Sequence, residues 1–362
     1  MAARDQLKHG LERASGNDRV EPETSAGRHE AALWRPAAEG AVDCGLCAHR
    51  CRITPGRRGI CKVRENQGGR LVTLTYGRIV AQHVDPIEKK PLFHFLPGST
   101  SYSIAAVGCN FQCGFCQNWQ ISQWPRSGRG ELPGEPASPE TIVEAARRHG
   151  CASVSYTYTE PTIFYEYARD TGRLARRAAL RNVFVTNGFM TAEAVSEMAE
   201  WLDAANVDLK AWQDAFYRTF CKARIEPVKE AIRGLVDAGV HVEVTTLLVP
   251  GQSDAPEDLR GIAEFLASLS PDLVWHVTRF HPDFEMRDVR PTPLGSIERA
   301  LAIGREAGLK FVYAGNVAGH QDTVCPKCGW TAIARHGFSV TMENLRGAAC
   351  GHCGAALPII LA

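Results

Sequence analysis

The sequence has no excess of charge of either sign, because 41 Lys and Arg residues are balanced by 40 Asp and Glu residues, giving a formal net charge of +1. This balance argues against proteins that bind nucleic acids or membrane surfaces, whose partners are polyanions. No run approaches the roughly 18 consecutive apolar residues of a membrane helix. The first residues also lack the apolar segment of a secretory signal. We therefore expect a cytoplasmic protein that binds neither membranes nor nucleic acids.

Cysteine, in contrast, is abundant, with 13 residues. In a reducing compartment we expect metal ligands or reactive thiols rather than disulfides. Cys151 and Cys221 stand alone and are expected to be buried, unreactive thiols. The other cysteines fall in groups of four, three and four. Four thiolates close a tetrahedral metal site, whereas three leave one coordination position open. The groups are Cys44, Cys47, Cys51 and Cys61; Cys109, Cys113 and Cys116; and Cys325, Cys328, Cys350 and Cys353.

The middle of the chain alternates apolar, β-branched runs with amphipathic stretches that carry helix start and stop signals. This alternation predicts parallel strands joined by right-handed crossovers, and the number of units favours an α/β fold with a partial or full (β/α) barrel. The predicted strands are 103–107, 152–157, 182–186, 205–209, 242–249, 274–280 and 310–313. The predicted divisions are a flexible tail (1–35), a Cys-rich segment with a connector (36–95), the barrel (96–320) and a zinc-ribbon-like segment (321–362).

The three-cysteine group, Cys109-x3-Cys113-x2-Cys116, directly follows the first predicted barrel strand. A loop in this place lies at the C-terminal mouth of a barrel, where such folds carry out chemistry. Three thiolates there can hold three irons of a [4Fe–4S] cluster and leave the fourth iron open to a small molecule. The alternative is a zinc site completed by a distant ligand such as His94.

Seven segments along the chain share one likeness: DPIEKKPLFHFLPGS, GCNFQCGFCQNWQIS, TYTEPTIFYEYA, VTNGFM, NVDLKAW, RFHP and VYAGNV. They resemble segments of the radical S-adenosylmethionine (SAM) superfamily, in particular its pyruvate formate-lyase activating enzyme branch and the AmmeMemoRadiSam system radical SAM enzymes. The resemblance implies an enzyme that reductively cleaves SAM at a [4Fe–4S] cluster. The resulting 5′-deoxyadenosyl radical would abstract hydrogen from a glycyl-radical-type protein or a small molecule. A flavodoxin or ferredoxin is implied as the one-electron donor, and Memo-like proteins as companions.

The resemblance also assigns residues to SAM. Glu160 would accept hydrogen bonds from the SAM amino group, and Lys210 would bind the carboxylate near Asp208. The structural alternatives are a helix-terminal carboxylate for Glu160 and a mutual ion pair for Asp208 and Lys210. Phe115 would pack on the adenine or simply in the core. The full set of SAM-site candidates is Phe115, Glu160, Thr186, Asn187, Asp208, Lys210 and His281.

Two positions depart from the family pattern. Tyr158 and Thr159 replace two glycines that precede the family's glutamate. Val185 stands where the activating-enzyme branch has an Asp that helps to form a small cation site, so that cation site is not expected here.

The flanking groups predict further metal sites. CPKC (325–328) and CGHC (350–353), separated by 21 residues, indicate a zinc ribbon, with an auxiliary iron–sulfur cluster as the alternative. The Cys44–Cys61 group fits either zinc or a second cluster, with zinc slightly favoured and His49 as a substitute ligand. Two other functions stay open: an iron–sulfur electron carrier or redox sensor without catalysis, and a zinc-binding scaffold or nucleic-acid module.

Overall fold

The computed structural model describes residues 27–128, 130–319 and 321–362. Its centre is a sheet made of β1 (Ala81–Pro86), β2 (Thr100–Ala105), β3 (Ser153–Tyr156), β4 (Arg181–Thr186), β5 (Ala204–Asp208), β6 (His241–Leu248), β7 (Val274–Arg279) and β8 (Val312–Gly315). The strands follow one another in space in chain order. β1 pairs with β2 antiparallel, and every later pair is parallel. Since β1 and β8 are the two edges, the barrel is partial.

One longer helix follows each strand from β2 to β7. These helices are α1 (Pro139–Arg148), α2 (Tyr165–Arg177), α3 (Ala192–Ala199), α4 (Glu226–Asp237), α5 (Pro256–Leu269) and α6 (Leu294–Glu306). Ser138 caps α1 by accepting a hydrogen bond from the Thr141 N–H (3.2 Å), and Thr191 caps α3 in the same way. Shorter helical turns span Ala38–Gly40, Ile87–Lys89, Trp119–Ser122, Trp124–Arg126, Pro161–Phe164, Asp214–Phe216 and Tyr217–Cys221. The predicted α/β fold class is confirmed in its partial-barrel form.

The ends of the chain form small sheets beside the barrel. In the N-terminal segment they consist of His29–Glu30, Arg64–Gln67 and Arg70–Thr73, and of Trp34–Pro36, Val42–Cys44 and Arg52–Ile53. Arg78–Ile79 pairs with Glu135–Pro136, which lies between β2 and α1. In the C-terminal segment they consist of Thr323–Val324, Thr331–His336 and Ser339–Thr341, and Leu345–Arg346 with Ala349–Cys350. Among the described helices, none has the length and apolar character needed to cross a bilayer.

The tail predicted for residues 1–35 lies outside the described residues up to residue 26. Beyond that point the structure departs from the prediction. Ala31 is buried, and its N–H donates to the Leu71 carbonyl at 2.9 Å. The polar sequence of residues 27–35 does not predict this ordered structure, because the segment is held by backbone hydrogen bonds rather than by an apolar face of its own.

The bottom of the barrel is closed by the connector between β1 and β2 together with the last residues of the chain. The Leu96 N–H donates to the Ile360 carbonyl at 2.7 Å, and the Ile360 N–H donates to the His94 carbonyl at 2.8 Å. Arg335 is buried there as well, with its guanidinium 4.3 Å from the centre of the Phe93 ring. The C-terminal segment is therefore part of the barrel's closure.

A buried polar network lies above this closure. Glu243, near the start of β6, accepts hydrogen bonds from the backbone N–H groups of Phe93 (2.9 Å) and His94 (2.7 Å). Its two oxygens also contact the rings of His241 (3.0 Å) and His276 (2.6 Å). Burial lowers the pKa of His94 to about 3, even though Glu243 opposes this shift and Arg335 and the two other histidines add to it. His94 is therefore neutral in the folded protein at neutral pH.

Candidate functional site

A cavity of about 540 Å³ opens where the parallel strands end. Parallel strands bring the residues that follow them to one mouth, which is where barrel folds place functional groups. The volume lies within the range of about 300–1,000 Å³ typical of small-molecule sites. The cavity is lined by the three thiols of the Cys109–Cys116 group and by all SAM-site candidates except His281. The lining includes Lys90, Cys109, Cys113, Phe115, Cys116, Tyr158, Glu160, Val185, Thr186, Asn187, Asp208, Lys210, Thr278 and Asn316.

The three predicted thiols share this cavity. The Phe111 N–H donates to Cys109 Sγ at 3.3 Å, and Asn187 Nδ2 lies 3.8 Å from the same sulfur. Ser122 Oγ lies 3.3 Å from Cys116 Sγ. Burial raises the pKa values of Cys109 and Cys116. Three thiolates grouped in a buried wall need a cation to offset their charge, which a bound metal group supplies.

Cys113 has a neighbour that sequence analysis treated as idle. A side-chain hydrogen bond with Cys221 and burial raise the pKa of Cys113 well above its ordinary value. Cys221 is fully buried and is absent from the cavity wall. A spacing rule could not find this contact, since 107 residues of intervening chain separate Cys113 and Cys221.

His94 does not complete the three-cysteine site. Its Nε2 contacts the Tyr313 hydroxyl at 2.7 Å and its Nδ1 the Pro358 carbonyl at 3.2 Å, both in the closure of the barrel. The interpretation of a zinc site completed by His94 is therefore wrong, because the connector carries this side chain away from the mouth.

Glu160 occupies the cavity wall between β3 and β4. Its Oε1 accepts hydrogen bonds from the Thr162 N–H (3.0 Å), the Thr162 hydroxyl (2.5 Å) and the Thr186 hydroxyl (2.7 Å). Its Oε2 accepts from the Asn187 N–H at 2.8 Å. Burial raises the pKa of Glu160, and these donors oppose that shift. The predicted helix-terminal contact is thus present, at the short helical turn Pro161–Phe164, and it fixes the carboxylate in the cavity wall.

Asn187 joins this carboxylate to the cysteine loop. Its Nδ2 donates to Asn110 Oδ1 at 2.7 Å, next to Cys109 in the chain. Its backbone N–H binds Glu160, as described above. The ends of β2, β3 and β4 are therefore tied together by side chains that sequence analysis placed in one site.

Asp208 and Lys210 form an ion pair with 2.7 Å between Oδ2 and Nζ. This matches the structural alternative, and both residues nevertheless line the cavity. Burial lowers the pKa of Lys210, but Asp208, Cys113 and Cys221 raise it to a net value well above the ordinary one. Lys210 Nζ lies 5.9 Å from the centre of the Phe115 ring, which packs against Phe216. The mouth therefore presents a fixed ammonium, a carboxylate and an aromatic face together.

The cavity wall contains a second charged group, Lys90, that was not predicted from the sequence. Lys90 Nζ lies 2.5 Å from Asp85 Oδ2, and the Tyr158 hydroxyl donates to the same oxygen. Burial lowers the pKa of Lys90 to about 8, although Asp85 opposes the shift. Tyr158 has a φ of +62°, the left-handed conformation that suits the glycine found here in the family. The adjacent lysines in DPIEKKP were the available signal, but their partner on β1 could not be foreseen.

His281 departs from its predicted role. It follows β7 by two positions, is exposed to solvent and is absent from the cavity wall. Thr278, on β7 itself, and Asn316, just after β8, line that side instead. The loop leaves the strand end before residue 281, so the side chain falls outside the mouth.

The C-terminal cysteines converge on one point. Sγ–Sγ distances are 3.7 Å for Cys325 with Cys353 and for Cys328 with Cys350. All four sulfurs lie within 4.8 Å of one another. Tetrahedral bonds of about 2.3 Å to one ion would place the sulfurs about 3.8 Å apart. The predicted ligand set therefore has the geometry of a closed, single-ion site.

Known proteins resemble this chain over both the barrel and its flanks. Residues 103–266 match the model of the Radical SAM superfamily. Residues 103–266 are therefore a radical SAM superfamily domain. An uncharacterized protein of Methanocaldococcus jannaschii is 42% identical to this chain over 337 residues, covering 92% of this chain and 99% of the relative.

Two further matches cover more than half of the chain. The pyruvate formate-lyase 1-activating enzyme of Escherichia coli K12 is 22% identical over 220 residues, which cover 57% of this chain and 89% of that enzyme, and is a homologue. A crystal structure of a radical SAM methyltransferase from Sphaerobacter thermophilus is 18% identical, with a TM-score of 0.48, and the match covers 65% of this chain and 71% of that one.

Proposed function

We propose that this protein is a cytoplasmic enzyme that reductively cleaves SAM and uses the resulting 5′-deoxyadenosyl radical to abstract a hydrogen atom. One observation carries the proposal. Three thiols that suit a [4Fe–4S] cluster line one cavity together with a fixed carboxylate and a fixed ammonium, Glu160 and Lys210. An electron carrier without catalysis has no need of that charged pocket beside an open cluster.

The donor set fits the implied cluster. Cys109, Cys113 and Cys116 supply three thiolates, and neither Cys221 nor His94 reaches the cavity wall as a fourth ligand. When bound, such a cluster supplies one electron to the sulfonium of SAM, and cleavage of a C–S bond then gives the 5′-deoxyadenosyl radical.

The remaining residues hold the amino-acid end and the adenine of SAM. Lys210 is suited to bind the carboxylate, since its ammonium is held at the mouth by Asp208. Glu160 places negative charge where the amino group would lie, and Phe115 offers an aromatic face to the adenine. Val185 gives that part of the wall an apolar surface, in keeping with the absence of an acidic cation ligand there.

The supply of electrons and the hydrogen donor are parts of the same proposal. A flavodoxin or ferredoxin is the expected one-electron donor, because a low-potential cluster must be reduced one electron at a time. A glycine residue of a partner protein is one class of hydrogen donor, as suggested by the homologous activating enzyme, and a small molecule is the other. Memo-like companion proteins follow from the resemblance to the AmmeMemoRadiSam system.

We also propose that the C-terminal cysteines bind zinc. Their sulfurs have the spacing expected for one tetrahedral ion. Gly329 (φ +74°) and Gly354 (φ +70°) follow the two pairs and form the tight turns beneath them. The bound ion would contribute to the stability of a segment with few core residues of its own.

The test is SAM cleavage by anaerobically reconstituted protein under a strong reductant. Wild-type protein should form 5′-deoxyadenosine, and Cys113→Ala should form none and lose the cluster. Cys221→Ala is the matched control, since this thiol touches Cys113 but does not line the cavity. It should keep both the iron and the product. Equal product from wild type and Cys113→Ala, or none from iron-loaded wild type, would contradict the proposal.

A further inference from the structure

The N-terminal cysteines, Cys44, Cys47, Cys51 and Cys61, are brought together by their own small fold. Strand Val42–Cys44 pairs with Arg52–Ile53, and the Cys44 N–H donates to the Cys51 carbonyl at 2.9 Å. Cys51 Sγ lies 3.7 Å from where a Cβ on Gly59 would stand, and the Lys62 N–H closes a turn onto the Gly59 carbonyl at 2.9 Å. That turn carries Cys61 to the other three.

These thiols are withdrawn from solvent. Cys44, Cys47 and Cys61 are buried and Cys51 is half-buried. Four grouped thiols with this degree of burial need a bound cation to become ligands, as at the barrel mouth.

The spacing of these sulfurs differs from that of the C-terminal set. In the described residues, only the C-terminal set brings three or more Cys, His or carboxylate ligand atoms within 4.8 Å of one another. The N-terminal sulfurs therefore stand farther apart than one tetrahedral ion requires. Each thiolate of a four-iron cluster binds a different iron, so the cluster needs a wider ligand set. The C-terminal cysteines thus have the geometry of a single-ion site, whereas the N-terminal cysteines are more widely spaced.

A buried cation accompanies the open set. Arg64 is 1% exposed, and its Nη1 donates to Cys44 Sγ at 3.5 Å. Its Nη2 donates to Glu166 and to the Ala32 carbonyl (2.7 Å), while its buried Nε has no partner. A guanidinium that donates a hydrogen bond to a ligand sulfur stabilises the thiolate form of that ligand, while Glu166 neutralises the charge of Arg64.

The N-terminal group also lies directly against the cysteine loop of the barrel. Arg126 Nη2 donates to the carbonyls of Ile60 (3.0 Å) and Cys109 (2.7 Å) and so joins a neighbour of Cys61 to a ligand of the other group. His49 Nε2 contacts the Asn110 carbonyl at 2.9 Å. A Cβ on Gly108 would stand 3.0 Å from Val63 Cγ1, so the backbone at Gly108 packs tightly against the Val63 side chain.

We propose that Cys44, Cys47, Cys51 and Cys61 bind an auxiliary [4Fe–4S] cluster that passes electrons to the cluster site at the barrel mouth. The auxiliary cluster takes one electron from a reduced flavodoxin- or ferredoxin-class protein, changing from [4Fe–4S]²⁺ to [4Fe–4S]⁺. It returns to the 2+ state when the same electron moves to the mouth, and no bond or proton changes. Cluster binding stands independently, whereas the relay role rests on the proposed function.

The test is metal, sulfide and electron paramagnetic resonance (EPR) analysis of the full chain, purified anaerobically and reconstituted. Wild-type protein should contain about eight irons and one zinc per chain, and its two reduced clusters should show magnetically coupled EPR signals. Cys51→Ser should lose about half of the iron and the coupling, while the remaining signal still changes on adding SAM. Cys151→Ser is the matched control and should lose neither.

Cys113→Ala separates this inference from the proposed function. This substitution should remove the EPR signal that changes on adding SAM and leave a second EPR signal that SAM does not change. About four irons with two zincs in wild type would overturn the auxiliary cluster while leaving SAM cleavage intact. The iron and zinc content of wild-type protein therefore decides whether the auxiliary cluster exists, even if Cys51→Ser fails to fold. Two full clusters without magnetic coupling would overturn the relay.

Discussion

Replacing Glu160 by Gln tests the charge at the centre of the candidate site with almost no change in shape. The carboxylate accepts three hydrogen bonds at Oε1 and one at Oε2, all from N–H or O–H donors. A glutamine that keeps its oxygen toward Thr162 and Thr186 turns its NH₂ group toward the Asn187 N–H. Two donors then face each other in a buried place.

The Glu160→Gln substitution is expected to change two free energies, that of folding and that of SAM binding. A buried donor left without an acceptor costs about 1–3 kcal/mol of folding free energy. Loss of a charge-assisted hydrogen bond to the SAM amino group costs about 1.5–3 kcal/mol of binding free energy. Since about 1.4 kcal/mol corresponds to a factor of ten, SAM should bind roughly 10- to 100-fold more weakly to Glu160→Gln.

The assay is anaerobic calorimetric titration of SAM into cluster-loaded protein, with iron content matched between variants and thermal unfolding measured in parallel. Thr162→Val is the control, because it removes one donor to Glu160 but keeps the negative charge. It should lose about 1 kcal/mol of stability and bind SAM nearly as wild type does. Wild-type affinity in Glu160→Gln would refute the role given to this charge.

Three further predictions address other parts of the molecule. Lys210→Met should weaken SAM binding at least about tenfold at unchanged iron content, because the carboxylate loses its cation; unchanged affinity in the same titration would contradict this. Cys328→Ser should lose the C-terminal zinc and lower the melting temperature, whereas zinc retained at the wild-type level would speak against that site. His94 has a folded pKa of about 3 and an ordinary value of 6.5, so the unfolded chain binds more protons between these values and stability falls as the pH drops below about 6.5. At pH 5 the loss from His94 alone is about 2 kcal/mol. Denaturant unfolding of His94→Gln at pH 7 and pH 5 should show a correspondingly smaller loss, and an equal loss would exclude His94 as the cause.

Much of the barrel could be predicted because parallel strands buried on both faces read as continuous apolar runs. VEVTTLLV at 242–249 is such a run, and it overlaps β6. β1 escaped prediction, since its sequence AQHVDP is polar and half-exposed at the edge of the sheet. An edge strand obtains its order from its neighbour rather than from an apolar pattern.

The candidate site, like the barrel, could be predicted from the sequence only in part. Charged residues at the ends of strands, such as Asp208 and Lys210, could be placed at the mouth by their position alone. The contact of Lys90 with Asp85 and Tyr158 could not, because it depends on the unpredicted β1. His281 was misplaced because strand spacing does not specify the direction in which a loop leaves the sheet.

The involvement of the last residues in the barrel closure bears on biosynthesis. The backbone of Ile360 is hydrogen-bonded on both sides of the connector, to His94 and to Leu96. A nascent chain that has already formed its parallel strands therefore still lacks the lower seal of the barrel until residue 360 has been synthesised. Any ligand that needs the sealed barrel can then bind only after that point in translation.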